Sequence, residues 1–494
     1  MKNRIVLLCF ILLPFWGFAQ KPDPSLRSLL PQNWWQSTAG LKVVTLKKNL
    51  KYGHEISLDP KVASNQLDEI KTQGFQAIEI FAPAEGLFAY NGLDTKNHYQ
   101  IDPELGNMDD LRRLIRMAHE KRIAVIAFIN LGYFSTEAPD WIEACKDKKA
   151  GKNTDKVKWF LWSDKADLPR PPTQEDIYVN QEQRDKAKDY WGWHWSELAG
   201  SYFWSRWKAN DSAGNTIPLP QLNWSSAEWR QEAKKIVKFW MNIGLDGMLI
   251  DAPLCYPYQT WEHNRAIVDI IKEYGNVMID AEGGRDQAWI TESGYNCIHE
   301  YGLSFKTSNK QWQKDATVES IETGNPQEIE YMLLQYHDKM LNAGAVLYAR
   351  GLQNFNGDTA KRHLQQALLA GIGDVIVYTK LEGLPDKGES EILRLKSQHS
   401  ALYPVATRRH IATNDDKKYY AFLKTAKDGS ERILAVYNFQ PTPQTIQVEL
   451  GVFSVSAIID LVNRETIPVI SQFKPLKVEL PAYGYRFFNV IPEK

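Results

Sequence analysis

Short apolar runs alternate with amphipathic stretches from about residue 40 to residue 385. The amphipathic stretches Asp109–Lys121 and Ser226–Ile243 carry apolar residues at helical spacing, and each therefore predicts a surface helix. The apolar runs that predict strands are Gln76–Pro83, Ile123–Leu131, Asp246–Asp251, Val277–Glu282, Ala345–Ala349 and Asp374–Thr379. Repeated strand–helix units predict a parallel sheet, and a closed (β/α)8 TIM barrel fits this length best.

Two segments lack the alternation of strands and helices. Residues 132–222 are rich in Trp, Lys, Pro and Asp and have no such period, which predicts a lobe inserted after strand 3 over the active-site face of the barrel. Residues 393–494 contain short strands separated by turn residues, which predicts a C-terminal all-β sandwich. The barrel itself is predicted over residues 33–131 and 223–392.

The first residues have the pattern of an export signal. Lys2 and Arg4 precede an apolar run, Ile5–Trp16, that is too short to span a membrane. Small residues before a cut after Ala19 complete a signal peptide over residues 1–19, and an uncleaved anchor is the alternative. Because no later stretch is long and apolar enough for a membrane span, we expect an exported protein, periplasmic or secreted, without membrane insertion.

The charge balance and the aromatic content point to different partners. A formal net charge of −1 gives no electrostatic basis for binding nucleic acid. The 17 Trp and 22 Tyr residues have two interpretations: most of them pack in the core, and some stack on sugar rings. The stacking candidates in the predicted lobe are Trp162, Trp193, Trp195, Tyr202 and Trp204.

Three cysteines remain after the signal peptide: Cys145, Cys255 and Cys297. An odd number in an exported chain cannot pair completely, and no Cys/His cluster has the spacing of a zinc site. We interpret the cysteines as small buried apolar residues, with one disulfide as the alternative.

Several long segments together resemble the α-amylase family of glycoside hydrolases. Gly92–Phe128 is similar to the segment that leads into the family's third barrel strand, and Leu219–Ala252 to the segment that carries its nucleophile. The tail, from Leu393 through the motif PAYGYRFF at Pro481–Phe488, resembles its C-terminal sandwich. The resemblance covers nearly the whole mature chain. It implies a carbohydrate substrate and chemistry at an α-glycosidic bond.

The same resemblance assigns roles to particular residues. The run GMLID places Asp251 at the family's nucleophile, and VMIDAE places Glu282 at its general acid/base. Asp94 matches the aspartate that holds sugar hydroxyls, and Tyr90 lies near the place of a sugar-stacking tyrosine. The positions of the two carboxylates support the same roles without the resemblance, because two carboxylates at the ends of consecutive strands can flank one bond at about 5 Å. The alternative is that Asp251 caps the following loop and Glu282 is exposed to solvent.

The nucleophile and third-carboxylate motifs depart from the family pattern. Leu249 replaces the arginine that keeps the nucleophile ionised, and Arg350 from the seventh strand is the candidate to replace it. No Asp or Glu lies between Met340 and Gly357, so Asp358 is the nearest residue that could supply the family's third carboxylate.

The third strand departs as well. It has Ala127, Leu131 and Gly132 where the family has an aspartate, an asparagine and a histidine, although Asn130 is adjacent. The family's asparagine is a calcium ligand. We therefore expect no cofactor, and calcium is the alternative although its usual ligand pattern is absent.

Two functions from different classes remain open. The first is a retaining glycoside hydrolase or transglycosidase that uses Asp251 and Glu282 in a double displacement. The second is a catalytically inactive, amylase-fold protein that binds glycans. A structural surface protein has little support, since no repeat or adhesive patch is visible. Carboxyl groups of Asp251 and Glu282 more than about 10 Å apart would contradict a glycosidase site.

Overall fold

A computed structural model of the chain describes residues 29–87, 92–177, 192–210, 215–283, 286–301, 303, 315–450, 455–468 and 474–492. Parallel strands form a closed barrel, because the last of them pairs with the first, Ile376 opposite Gly40. The barrel strands are β1 Gly40–Thr45, β2 Ala77–Phe81, β3 Ala124–Ile129, β4 Gly247–Ile250, β5 Met278–Glu282, β6 Cys297–Tyr301, β7 Val346–Arg350 and β8 Val375–Tyr378. The predicted TIM barrel is confirmed.

Amphipathic helices connect consecutive barrel strands and cover the outside of the barrel. Their bounds are Pro60–Thr72, Met108–Glu120, Ala227–Asn242, Trp261–Lys272, Gln287–Ser293, Ala316–Thr323, Gln327–Met332, Asp338–Asn342, Thr359–Ile372 and Lys387–Gln398, with a π-helical turn at Leu333–His337. Polar side chains start several of them: Asn107 caps Met108–Glu120, and Ser226 accepts from Trp229 N at the start of Ala227–Asn242. The two helices predicted from sequence are thus confirmed to within a residue or two.

Alternation along the strands separates two apolar cores. In β3, Ala124, Ile126 and Phe128 face the barrel interior, whereas Val125 and Ile129 face the surrounding helices. Both faces are buried, which explains why this strand reads as one continuous apolar run. No strand was predicted at β1 or β6. In β6, Cys297–Tyr301, the polar residues resemble those of a loop.

The lobe that follows β3 has regular structure of its own, although its sequence has no strand–helix period. It contains helices Pro139–Lys149 and Asp155–Lys158, a three-stranded sheet Trp162–Ser163, Gly192–Ser196 and Ser201–Ser205, a 3-10 turn Gln174–Ile177, and the hairpin Lys208–Asn210 with Thr216–Pro218. The chain returns where it left, because Leu222 N donates to Gly132 O and Gln221 bridges to Tyr133. The lobe therefore begins and ends at the C-terminal end of β3.

The C-terminal part is an all-β domain, as predicted. Its strands are β9 Thr407–His410, β10 Tyr419–Thr425, β11 Arg432–Asn438, β12 Gln444–Val448, β13 Val455–Asp460, β14 Thr466–Pro468, β15 Leu476–Leu480 and β16 Tyr485–Pro492. Six of them form one antiparallel sheet, and β12 pairs with β15 in a second. Side chains of both sheets, such as Val436 and Val478, share one apolar core, which makes the domain a sandwich.

Smaller elements complete the described chain: helix Trp34–Ser37, strand His54–Glu55 beside β1, and the antiparallel pair Glu85–Leu87 with Asp94–Asn97. Cys145, Cys255 and Cys297 are all buried and none forms a disulfide, so the interpretation as small buried residues is confirmed. Among the helices within the described ranges, none is long and apolar enough to cross a membrane.

Candidate active site

Two carboxylates meet at the C-terminal mouth of the barrel. Asp251 directly follows β4, and Glu282 is the last residue of β5. The two strands are parallel neighbours with Ile250 opposite Ala281, so both side chains leave the sheet at the same level. The carboxyl groups are within hydrogen-bonding distance of each other, and Asp251 is buried while Glu282 is partly exposed.

Asp251 is held at both its backbone and its carboxylate by groups from the neighbouring strand and loops. Its backbone N donates to Ile129 O at 3.0 Å, which ties it to the end of β3. The Tyr133 hydroxyl donates to Asp251 Oδ2 at 3.2 Å, and the Tyr256 hydroxyl donates to the Asp251 carbonyl. Ala252 then takes a left-handed conformation with φ 36°, directly before the 3-10 turn Pro253–Cys255.

Arg350 lies beside this pair at the end of β7. One guanidinium nitrogen, Nη1, is 3.7 Å from Glu282 Oε1, and the other, Nη2, is 3.4 Å from Glu79 Oε2. The guanidinium carbon lies 5.9 Å from the centre of the Phe128 ring in the barrel interior. The structure thus brings the candidate arginine to the pair, whereas Leu249, at the family's arginine position, is fully buried among apolar side chains.

The protonation of the pair follows from its surroundings. Burial, and then the adjacent Glu282 carboxylate, raise the pKa of Asp251 well above its ordinary value. The hydroxyl of Tyr133 and the charge of Arg350 act in the opposite direction on the same pKa. A carboxyl group beside another carboxylate ionises less readily, so the free site favours a proton on Asp251.

Asp94 is fully buried near the end of β1, beside Lys47. Burial lowers the pKa of Lys47 to about 8, and nearby Asp94 opposes that effect. The Lys47 ammonium donates to the carbonyls of Ala84 and Gly92 at 3.0 and 3.1 Å, which anchors the chain just before Asp94. Tyr90, the other residue predicted here, lies outside the described residues. Sugar binding by either residue stays a prediction.

Asp358 has a structural role that the sequence analysis did not assign. It caps the helix Thr359–Ile372, where its Oδ1 accepts from Ala360 N at 3.1 Å and from Lys361 N at 3.2 Å. A carboxylate bound to a helix N-terminus in this way is accounted for without any sugar. The interpretation of Asp358 as a relocated third catalytic carboxylate therefore has no support from its contacts.

The residues after β3 do not fit a calcium ion. The Asn130 amide donates to the carbonyls of Leu93 and Tyr133 at 3.0 and 2.9 Å, and its oxygen accepts from Gly132 N at 2.7 Å. A Cβ on Gly132 would lie 2.3 Å from the ring of Tyr256, which leaves no room for a histidine there. In the portion of the chain that is described, no three His, Cys, Asp or Glu residues cluster as metal ligands.

Most of the predicted stacking aromatics pack against other rings of the lobe. Trp162 is stacked on Trp141 with ring centres 5.1 Å apart and planes 7° apart. Trp204 is buried and contacts Trp193 edge to face at 5.5 Å. Trp195 differs, since 48% of it is exposed beside Tyr202. Sugar stacking by this set stays a prediction, and Trp195 is the member whose ring is most accessible.

A different aromatic pair lies at the site and was missed. Tyr133, which donates to Asp251, packs against Trp207 with ring centres 4.9 Å apart. The Arg206 guanidinium lies 5.0 Å from the centre of the Trp207 ring and pairs with Glu175 at 2.6 Å. No sequence signal distinguishes Trp207 from the other lobe tryptophans, because its partner comes from the loop after β3.

Comparison with known proteins gives matches along both domains. The sequence model of the α-amylase catalytic domain matches residues 60–331, more than half of the chain. The model of the maltogenic amylase C-terminal domain matches residues 409–487.

Curated relatives match only part of their own length. An "Alpha-glucosidase" of Schizosaccharomyces pombe is 23% identical over 225 residues, which cover 44% of this chain and 35% of that protein. "Alpha-amylase 3" of Dictyoglomus thermophilum is 28% identical over 188 residues, 38% of this chain and 31% of that protein. The match thus spans about a third of the length of these relatives.

Solved structures match over almost the whole chain. The α-amylase from H. orenii superimposes with a TM-score of 0.67 at 16% identity, covering 92% of this chain and 99% of that one. A trehalose-6-phosphate hydrolase from Bacillus licheniformis gives a TM-score of 0.66 at 14% identity, covering 92% of this chain and 100% of that one. At this level of identity the similarity concerns the fold.

Proposed function

The chain belongs to the α-amylase family of glycoside hydrolases, and on that basis we propose that it cleaves or transfers an α-glycosidic bond. The observation that carries the proposal is the contact between Asp251 and Glu282 at the mouth of the barrel. Curated relatives bear the names alpha-glucosidase, oligo-1,6-glucosidase and trehalose synthase, so an α-glucoside is the substrate class we propose.

The proposed reaction is a double displacement with retention at the anomeric carbon. In the first step Asp251 Oδ attacks that carbon, Glu282 gives its proton to the leaving oxygen, and the glycosidic bond breaks. In the second step water, or a sugar hydroxyl in a transfer, attacks the same carbon. Glu282 takes its proton back and the bond to Asp251 breaks. The pair ends the cycle as it began, with one proton.

The raised pKa of Asp251 favours a proton at the free site, and the cycle needs a proton on Glu282. A sugar that enters between the carboxyl groups separates them, after which the proton must stay on Glu282 and the charge on Asp251. The Tyr133 hydroxyl and the Arg350 charge both favour ionised Asp251, and they would localise the charge there. Carboxyl groups in contact are also closer to the roughly 5 Å of retaining enzymes than to the wider spacing of inverting ones.

A second function is favoured by specific departures from the family. Leu249 is buried where the family has an arginine, and the carboxylate of Asp358 caps a helix. These features suit a catalytically inactive protein that binds glycans through the same mouth. The two functions differ in turnover, so one experiment separates them.

The test is to trap the glycosyl–enzyme. The protein is incubated with a fluorinated glucosyl fluoride, whose good leaving group speeds the first step and whose ring fluorine slows the second, and its peptides are analysed by mass spectrometry. We expect one added glycosyl group on Asp251 and none in the Asp251→Asn variant. Wild type that stays unlabelled by this probe, and that turns over no α-glucoside, would refute the enzyme and favour the binding protein.

We also propose that the protein is exported. The support is the leader pattern of residues 1–19, with Lys2 and Arg4 before the apolar run Ile5–Trp16. A carbohydrate-active protein in the periplasm or medium would meet its substrate there. Expression of the full chain followed by N-terminal sequencing of the exported protein tests this, and we expect it to start at Gln20.

A further inference from the structure

A line of charged side chains continues from the site into the barrel interior. Glu79 on β2 is fully buried, and it contacts Arg350 Nη2 at 3.4 Å and His299 Nε2 at 3.4 Å. The other nitrogen of His299, Nδ1, pairs with the buried carboxylate of Asp280 on β5. Charged groups are rare in such an interior unless they are paired, and neither displacement step uses Glu79, His299 or Asp280.

Glu79 is an anion despite its burial. Burial alone would raise the pKa of Glu79, but the charge of Arg350, followed by the hydrogen bond and charge of His299, outweighs burial and holds that pKa below its ordinary value. In the same way burial lowers the pKa of His299, but Asp280 and the hydrogen bond to Glu79 raise it overall. The anion Glu79 therefore lies between the cation Arg350 at the mouth and His299 in the interior.

Arg350 is the link between this interior line and the catalytic pair. Its guanidinium is a planar fork, so fixing one nitrogen fixes the direction of the other. Nη2 is bound to Glu79 below, which directs Nη1 towards Glu282 Oε1 at 3.7 Å above. The side chain is only 10% exposed, so few other orientations are open to it.

We propose that Glu79 is a positioning residue of the active site: it holds Arg350 against the Asp251–Glu282 pair and shares the charge of Arg350 with that pair. The role of Glu79 in an active site rests on the proposed function, whereas the position of Glu79 beneath Arg350 does not. Glu79 itself meets no substrate, since it is fully buried beneath Arg350.

The variant Glu79→Gln tests this role. Glutamine keeps an oxygen that can accept from Arg350 Nη2, but it removes the negative charge that competes for the guanidinium. The full charge of Arg350 then acts on the pair, so Asp251 loses its proton at lower pH. We expect both limbs of the pH profile of kcat/KM to move towards acid by roughly one pH unit.

Other charged and titratable groups face the same region and must be accounted for. Within the described ranges, those facing Glu79 or the pair are Arg350, His299, Asp280, Tyr133 and Tyr256. The two tyrosines bear on Asp251 from the mouth, and His299 and Asp280 lie on the far side of Glu79. Glu79→Gln therefore removes one anion and one of the groups that raise the pKa of His299, whereas the other members of this set are kept.

A matched control separates positioning from general destabilisation. Asp246 is a fully buried carboxylate that pairs with His119 at 2.6 Å, but it precedes β4, about 16 Å along the strand from Asp251. Asp246→Asn should lower the melting temperature without moving the pH profile. If Glu79→Gln does not fold, Glu79→Asp keeps the charge but withdraws it by one methylene, and we expect a smaller shift in the same direction.

A measurement that does not depend on turnover tests the role of Glu79 separately from the proposed function. Infrared titration follows the carboxylic-acid C=O band that Asp251→Asn removes, and its midpoint should be lower by the same roughly one pH unit in Glu79→Gln. No shift in either variant would overturn the proposed role of Glu79, and a shift towards alkaline pH would overturn the sharing of the Arg350 charge. An infrared shift without any turnover of α-glucosides would leave Glu79 as assigned and refute the enzyme instead.

Discussion

Replacement of Arg350 by methionine removes the cation that faces the proposed catalytic pair, Asp251 and Glu282. Methionine keeps much of the length of the side chain and its contact with the barrel interior, whereas both ionic contacts are lost, at 3.7 Å to Glu282 and at 3.4 Å to Glu79. Because Arg350 favours the ionised form of Asp251, its loss raises the pKa of that carboxyl further. The proton then stays on the pair at higher pH, and ionised Asp251 becomes scarcer.

The size of the effect can be worked out from the distances. A unit charge about 4 Å away contributes about 4 kcal/mol at an effective dielectric constant of about 20. Glu79 competes for the same guanidinium, so we assign about half, about 2 kcal/mol, to the pair. At about 1.4 kcal/mol per pKa unit this moves the acid limb of kcat/KM up by about 1.5 pH units, and lowers kcat/KM by about thirtyfold at pH values below that limb.

The same substitution also leaves Glu79 without its strongest partner. A buried charge that loses its partner costs about 3–5 kcal/mol of stability. The folded-state pKa of Glu79 lies below its ordinary value of 4.5, so its contribution is present above that pH and is lost as the pH falls through the folded-state value. The loss of stability in Arg350→Met should therefore be largest above pH 4.5 and should shrink in acid.

The assay is a pH profile of kcat/KM on an aryl α-glucoside, paired with thermal unfolding at each pH. A profile whose acid limb stays in place while activity falls uniformly would refute the reasoning, because it would mean that Arg350 acts only by packing. Arg350→Lys is the matched control: it keeps the charge without the fork, so the acid limb should move less than in the methionine variant.

Four further outcomes are expected. Asp251→Asn should lower kcat by several orders of magnitude, since an amide cannot form the glycosyl ester, as single-turnover kinetics would measure. Glu282→Gln should retain more activity on substrates with good leaving groups, and azide should restore turnover to Glu282→Ala with an α-glycosyl azide as the product. Tyr133→Phe removes the hydrogen bond to Asp251 and should lower kcat/KM by roughly tenfold or more. Burial would lower the pKa of His337, but Asp374 outweighs it and raises that pKa to about 9, so His337→Gln should destabilise the protein most below pH 6.5, with the loss declining towards pH 9 in thermal unfolding.

The fold could be predicted because its signals are local. A strand buried on both faces, such as β3, has to be a continuous apolar run, and a helix such as Met108–Glu120 has to carry apolar residues at helical spacing. The pair of Asp251 and Glu282 was predictable for a related reason: the ends of consecutive parallel strands meet at one edge.

The residues around the pair were not predictable, because the residues that they contact are distant along the chain. Glu79 lies in the run QAIEIFAP, where a lone acid normally faces solvent, and its partners Arg350 and His299 follow more than 200 residues later. Asp358 illustrates the opposite case. Its nearness to the end of β7 suggested chemistry, whereas the hydrogen bonds to Ala360 and Lys361 use its carboxylate as a helix cap.

The most direct test of the account is whether the protein turns over α-glucosides, and with which stereochemistry. Purified wild type and Asp251→Asn are incubated with a panel of α-linked gluco-oligosaccharides and aryl α-glucosides, and the first-formed products are followed by proton NMR. The account predicts that wild type releases or transfers the sugar as the α-anomer and that Asp251→Asn does neither. Equal glycan binding by the two proteins without any product, or release of the β-anomer, would contradict it.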